Sequence, residues 1–532
     1  MKETFSNSIN LSLFILRRER VTAGVWLFML LLFTWAMATV FETQFTFEEL
    51  QALLLVQQNP IQIALQGPIY GADNFQAGQI FAREMLLFTL IAVAIMNIFM
   101  VMRHTRSDEE KGRYEVIRSL PTGRLAFLNA TFISAVCVNL TLALSQGALL
   151  SIMGITGTTT VGAFIFGAQL GALGLVFAAL AALFAQLTPS TRGATGYSFM
   201  VLIISYLVRA VGDQGNEALA RISPLGLVMR AEAFAGNYWW PIITTLGICL
   251  IIGGLGLLLN ARRDMDQGFI PQRQGRAAAS FILRSPLGLT WRLNRNTLVS
   301  WFIGMLAFGV AMGGLLGDAE IFVYENEIMQ MMMPQSPYFM AAELFTVFIN
   351  VLLAIVCIAP VLILVFKLRS EEKGHLAENV LSGAVSRLSY LASHVIIAFI
   401  ASVIMPFVAA TGMWLTGNIM MDMPIGFFTL QHGMMVYAPA LWVMLGLGVL
   451  FVGAMPKGTL LLWGYFAYVF VAGFFGDLLG MPEWSMRLSP MGFVPQLPLD
   501  EVNVWVLAGL SAVGLGLTMI GFIFYRKRDV ML

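Results

Sequence analysis

The sequence predicts an all-α polytopic membrane protein of about twelve transmembrane helices, built as two parallel six-helix repeats. Three observations carry that prediction. The 532 residues are 58% hydrophobic and 11% charged, against about 25% charged in soluble domains, so most of the chain belongs in lipid. Apolar runs long enough to cross a bilayer recur along its whole length. A charged motif follows an apolar run twice, as Arg106-Ser-Asp-Glu-Glu-Lys-Gly-Arg113 and as Arg369-Ser-Glu-Glu-Lys-Gly-His375.

The apolar runs fall at 22–41, 85–102, 125–153, 160–187, 195–211, 240–260, 298–317, 343–366, 388–416, 427–453, 459–478 and 503–525. Lys and Arg cluster at 2–20, 103–124, 262–295, 367–387 and 526–528, with Arg192 and Lys457 in short turns. Twelve spans with both termini inside put every cluster on one side, as the positive-inside rule requires. The first run is long and follows Arg17, Arg18 and Arg20, so it reads as an uncleaved first span. An amphipathic stretch precedes the first span of each half, Phe5–Arg20 and Phe281–Arg295, and suits an interfacial helix.

Further anchors repeat. Leu16-Arg-Arg-Glu-Arg20 resembles Trp291-Arg-Leu-Asn-Arg295, and Trp26 aligns with Trp301. Ser223-Pro-Leu-Gly-Leu227 resembles Ser489-Pro-Met-Gly-Phe493, and Arg262-Arg-Asp264 resembles Lys527-Arg-Asp529. The expected organisation is a first six-span unit at 1–261, a cytoplasmic linker at 262–280 and a second six-span unit at 281–532. Outside, Thr46-Phe-Glu-Glu49 fits a capping box opening a short helix to about Gln57. The matching loop, 318–341, holds Met329 and Met331–Met333. Tyr238, Trp239, Trp240 and Trp484 suit an aromatic belt.

The net charge of +1 argues against a nucleic-acid binder. Cys137, Cys249 and Cys357 all lie in predicted spans and read as small apolar thiols rather than as a disulfide or zinc set. No P-loop, His-Glu-x-x-His or Gly-x-Ser-x-Gly motif occurs; Pro456-Lys-Gly-Thr459 lacks the phosphate loop. No metal site is expected, and no cofactor in this chain.

The repeated loop carries the strongest functional signal. Glu109, Glu110, Lys111 and Gly112 match Glu371, Glu372, Lys373 and Gly374 in letter order. Arg106, Arg113 and Arg124 flank the first copy, and Arg369 and Arg387 the second. The acidic and basic residues suit salt bridges across a protein interface, and Gly112 and Gly374 suit a sharp turn. A merely solvated loop is the plainer reading, but topology calls for Lys and Arg and not for paired glutamates.

On these residues, together with the Arg262-Arg-Asp-Met-Asp-Gln-Gly268 linker and its Pro271 and Gly275, the chain resembles the ABC-2-like permeases known as exporters of polyketide antibiotics. The resemblance covers essentially the whole chain. It implies the ABC-2 (type V-like) exporter transmembrane fold and a bacterial cytoplasmic membrane location. It makes 106–124 and 369–387 coupling helices for separate P-loop ATPase subunits, in two copies, which bind the ATP and Mg. It makes Phe5–Arg20 and Phe281–Arg295 elbow helices, and the cargo a hydrophobic small molecule. The second loop departs from the first at His375 and at Ser386-Arg387.

Polar residues in spans are further candidates, because an ionisable group at the centre of a membrane helix costs about 2.5–3.5 kcal/mol or more. They are Arg209, Glu343, Asn350, Asn139, Gln146 and His394, with substrate contact set against interface anchoring and helix–helix hydrogen bonding. Gly309, Gly313 and Gly317, and Gly167 and Gly171, match the close-packing Gly-x-x-x-Gly pattern. The alternative function is an ion-coupled secondary transporter of the major-facilitator type. Its loop after the second span has a Gly-x-x-x-Asp-Arg-x-Gly-Arg order, whereas here the glutamates precede the glycine.

Overall fold

The structure is a computed structural model and describes residues 4–43, 60–71, 76–264, 267–270, 278–320, 323, 340–421, 423–476 and 479–528. Among them every regular element is a helix. The capping box at Thr46–Glu49, the Met329 to Met333 cluster, and Pro271 and Gly275 of the linker lie outside the described residues.

Among the described residues twelve helices are long and apolar enough to cross a membrane. Spans one to six are Ser8–Thr43, Ala77–Glu110, Ala126–Met153, Thr160–Leu187, Thr191–Gly212 and Trp240–Arg262. Spans seven to twelve are Pro286–Gly314, Ala341–Lys373, Arg387–Met420, Phe427–Ala454, Pro456–Phe474 and Val504–Lys527. The chain is an all-helical, multi-pass membrane protein, as its composition dictates.

The elbow segments differ from expectation. Residues 8–43 form one unbroken helix of 36 residues, about 54 Å at 1.5 Å per residue, well beyond a 30 Å hydrocarbon core. Its basic first turns are therefore an extension of span one rather than a separate helix. In the second half a 3-10 turn, Phe281–Arg284, leads straight into span seven. There Ser285 Oγ accepts the Gly288 amide at 3.1 Å and Pro286 follows, so the helix starts at a side-chain cap with no gap for an independent elbow.

The chain divides into two compact units, Met1–Gln274 and Gly275–Leu532. Each packs its helices in the same pairs. In the first unit span one meets two and three, span two meets four and five, and span four meets three, five and six. In the second, span seven meets eight and nine, span eight meets ten and eleven, and span ten meets nine, eleven and twelve. The same helices form the core: spans two and four are 67% and 78% buried, and spans eight and ten 67% and 72%. Glycine lets these helices touch. A Cβ on Gly309 would strike the Ala409 carbonyl of span nine, one on Gly313 the Met413 carbonyl, and one on Gly167 the Ala143 carbonyl of span three. Gly309, Gly313, Gly167 and Gly171 are therefore helix-contact glycines. Gly317 lies in the 3-10 turn after span seven.

Candidate functional site: the two charged loops

Each loop after the second span of a unit is fastened to the end of that unit's last span. In the first unit Arg263, just beyond span six, places Nη2 at 2.9 and 2.8 Å from the two Glu109 carboxylate oxygens. Its Nη1 donates to the Ala185 carbonyl of span four at 3.2 Å. Its own carbonyl accepts from Arg124, at the start of span three, at 3.1 Å. In the second unit Arg528, just beyond span twelve, reaches Glu372 at 2.6 and 2.7 Å. It donates to the Val452 carbonyl of span ten at 3.0 Å, and its carbonyl accepts from Arg387 at 3.3 Å. Each clamp thus joins four spans through one arginine.

These clamps correct the register read from letters. Glu109 corresponds to Glu372, not to Glu371, and Asp108 corresponds to Glu371. The backbone agrees. Gly112 is left-handed with φ 68°, whereas Gly374 has φ −89° and the left-handed residue is His375, at φ 56°. Gly374 is therefore not the turn residue. A short helix follows the left-handed residue in both loops, Arg113–Arg118 and Leu376–Leu381.

The first loop carries a denser internal network. Asp108, almost fully buried, accepts from Arg18 at 2.5 and 2.9 Å and from Arg113 at 3.1 Å. Glu19, on the extension of span one, pairs with Arg103 at 2.8 Å and with His104 Nε2 at 2.6 Å. Arg106 reaches Glu109 at 2.8 Å. Glu110 caps span five, accepting from the Thr191 amide at 2.7 Å and its hydroxyl at 2.6 Å. The chain start is tied in as well: the amides of Gly123 and Leu125 donate to the carbonyls of Ser6 and Thr4. Tyr114 lies against the Leu11, Ile15 and Phe127 cluster, and burial pushes its hydroxyl pKa up. In the second unit Glu371 accepts from the Tyr390 hydroxyl and lies 3.7 Å from His394 Nε2, while Tyr525 donates to Glu372 at 2.9 Å.

Most acidic groups expected to reach across an interface are therefore committed inside the chain. The outward-facing residues include Glu110, Lys111, Arg113, Glu115, Val116, Arg118, Leu120 and Arg124 in the first loop, and Lys373, Gly374, His375, Leu376, Asn379 and Arg387 in the second. Sequence reasoning missed Arg18, Glu19, Asp108, Tyr390 and Tyr525 as loop partners. Arg263 and Arg528 are visible in the sequence as repeat anchors but not as partners of the glutamates.

The intramembrane candidates separate. Asn139 forms a reciprocal amide pair with Asn97 of span two, at 3.0 and 2.7 Å, fixing spans two and three together. Arg209, fully buried, donates to the Ala64 carbonyl at 2.6 Å and to Asp213 at 3.2 Å, so it anchors the Pro60–Gln66 helix. Asp213 also meets Arg230 at 3.3 Å, yet burial holds its pKa above the ordinary carboxylate value. Glu343 caps its own helix through the Met340 amide at 3.1 Å, and His394 belongs to the Glu371 cluster. Asn350 and Gln146 are buried, and among the described residues neither amide atom of either side chain has a hydrogen-bond partner. Cys137 faces outward rather than being buried, and Cys249 and Cys357 are also free thiols. Among the described residues no group of three His, Cys, Asp or Glu side chains is placed to hold a metal.

Two six-span helical units with paired loop clamps define the class: a polytopic, all-helical membrane protein. The family described as "Multidrug efflux system permease Rv1217c, C-terminal domain" matches residues 12–259 and 283–526, one stretch inside each unit. A relative of similar length, multidrug efflux system permease protein Rv1217c of Mycobacterium tuberculosis, is 32% identical over 536 residues, covering 99% of this chain and 96% of the relative. The chain belongs to this multidrug efflux permease family.

Proposed function

We propose that this chain is the membrane-spanning subunit of an ATP-binding-cassette exporter of the ABC-2-like kind, two permease units fused, moving hydrophobic, antibiotic-like molecules out across the bacterial cytoplasmic membrane. Separate P-loop ATPase subunits, two copies, bind ATP and Mg and dock on residues 106–124 and 369–387. Both chain termini lie on that side.

The observation that supports this best is the clamp found in both units, Arg263 on Glu109 and Arg528 on Glu372. A loop that carries force from a partner must be joined stiffly to the spans it moves. A buried charge pair with further hydrogen bonds supplies that stiffness, because opening it strands a charge. The outward faces suit docking: Val116 is 69% and Leu376 is 59% exposed, each set among charged residues, which is the mixture of apolar centre and polar rim that interfaces use. The denser tie-down of the first loop makes the two sites unequal. The ion-coupled alternative is not favoured by the family to which the chain belongs.

The test is purification of the tagged chain from its native membrane in mild detergent, with mass spectrometry of what accompanies it. The reading expects a P-loop ATPase, lost when Val116→Asp and Leu376→Asp are combined. A pure chain with no ATPase under conditions that keep it folded contradicts it.

A further inference from the structure

The two units differ at one place where their local structure otherwise repeats. Near the end of the first unit, Glu217 and Arg221 pair at 2.6 Å on a short helix that runs into Ser223-Pro-Leu-Gly226. In the second unit, Glu483 and Arg487 pair at 3.2 Å on a short helix that leads into Ser489-Pro-Met-Gly492. Gly212, at the end of span five, abuts Ala220, and Gly476, after span eleven, abuts Met486. The positions three residues before these glycines therefore correspond, and they are Arg209 and Gly473.

That exchange has a steric consequence. Arg209 lays its stem beside Gly226, where an added Cβ would lie 3.1 Å from Arg209 Cγ. In the second unit no side chain extends from Gly473, where an added Cβ would lie 2.9 Å from the Ile355 Cδ1 and 3.8 Å from Val351, and a cavity of about 300 Å³ lies alongside. Both Gly473 and Gly492 line it, with Val351, Tyr437, Met491 and Gln496. About 300 Å³ is the lower bound for small-molecule pockets.

The lining sets the chemistry of an occupant. Tyr437 is only 2% exposed, and among the described residues its hydroxyl makes no hydrogen bond, although buried hydroxyls normally have a partner. The Gln496 side-chain amide likewise makes no hydrogen bond among the described residues; its backbone N–H donates to the Asp500 carboxylate at 2.8 Å and its carbonyl accepts from the Asp500 amide at 3.0 Å. The formal charges among the described lining residues are Glu483 and Arg487, which pair with each other. The remainder is aliphatic, thioether or glycine, a surface that adapts to varied shapes.

We infer that the second unit holds a binding site for a neutral molecule with an apolar body and a hydrogen-bonding polar group, left open where Gly473 stands in place of the first unit's Arg209. The apolar body lies against Val351, Gly473 and Met491, and the polar group meets Tyr437 and Gln496. This rests on the export reading for its biological meaning, and it makes the cargo path asymmetric between the units.

The test is photolabelling of the full chain in native membranes with 4-(hydroxymethyl)benzophenone, mapped by peptide mass spectrometry, with 4-benzylphenol as competitor. The expected label falls on the peptides carrying Tyr437 and Met491–Gln496 and is suppressed by competitor. Gly473→Arg lowers it at least tenfold, and Tyr437→Phe lowers it severalfold. If Gly473→Arg does not accumulate, Gly473→Leu fills the same space with less bulk and carries the same expectation. Label spread over lipid-facing residues, or unchanged in a folded Gly473 variant, overturns the inference. The labelling needs neither ATP nor transport, so failure of the export reading leaves it readable. Efflux that persists while cavity labelling is absent sinks the cavity alone.

Discussion

Replacing Glu109 with Gln removes the charge that holds Arg263 and so opens the first clamp. Both side chains are 7% exposed, so solvent screens the pair little, and breaking such a pair costs about 3–5 kcal/mol. Two features place this case at the lower end. Arg263 keeps the carbonyls of Ala185 and Gln267, both at 3.2 Å, and Gln retains an oxygen that accepts one hydrogen bond. A cost of about 3 kcal/mol raises the population of the open loop by about two orders of magnitude, at 1.36 kcal/mol per tenfold. Hydrogen exchange of amides 106–118 in lipid nanodiscs reads this directly. Exchange there should rise about 10²-fold, with span four unchanged. Adding Arg263→Met removes one of the two guanidiniums that then face a neutral residue, Arg106 at 2.8 Å being the other, so the double variant should be milder than the sum of the singles, by about 0.5–3 kcal/mol. Unchanged exchange in Glu109→Gln, or strict additivity in the cycle, refutes the clamp.

Three further outcomes follow from the same geometry. Gly309→Leu forces side-chain bulk into the Ala409 carbonyl of span nine; overpacking costs about 1–3 kcal/mol, and a lower melting temperature with loss of monodisperse protein should result, whereas a neutral change shows the helices are not in contact. Asn97→Leu leaves the Asn139 amide with only the Ala135 carbonyl, a loss of about 1–3 kcal/mol by thermal melting, and the Asn97→Leu/Asn139→Leu double variant should recover part of it; no recovery argues against the reciprocal pair. Val116→Asp, on an exposed side chain, should leave the melting temperature within the range of ordinary surface changes, about 0.5 kcal/mol, yet weaken ATPase co-purification. A destabilised chain with normal co-purification reverses that assignment.

Much of the fold is legible in the sequence because lipid makes the requirement local: a spanning helix must be apolar over its own length, whatever it packs against. The expected run at 160–187 coincides with the observed helix Thr160–Leu187. The elbows are not legible in the same way, because amphipathicity marks where a helix emerges from lipid but not whether it breaks there. The loops stand out by their repetition and are misaligned for the same reason. Identical letters pull Glu109 onto Glu371, while the actual equivalence is fixed by a left-handed residue and by an arginine 154 positions away. Such distant partners, like the Asn97–Asn139 pair, leave no local trace. Arg209 stands out as a charge in a span, but its role depends on the Ala64 carbonyl it holds, and the contrast with Gly473 needs both units in three dimensions.

Inverted membrane vesicles containing this chain and the ATPase that accompanies it, incubated with a neutral hydrophobic dye in the outer medium, give the most direct test of the central claim. The account predicts dye accumulation that requires ATP hydrolysis, survives collapse of ion gradients, and falls when Glu109 and Glu372 are both changed to Gln. Accumulation driven by an ion gradient without ATP, and indifferent to those two glutamates, contradicts it.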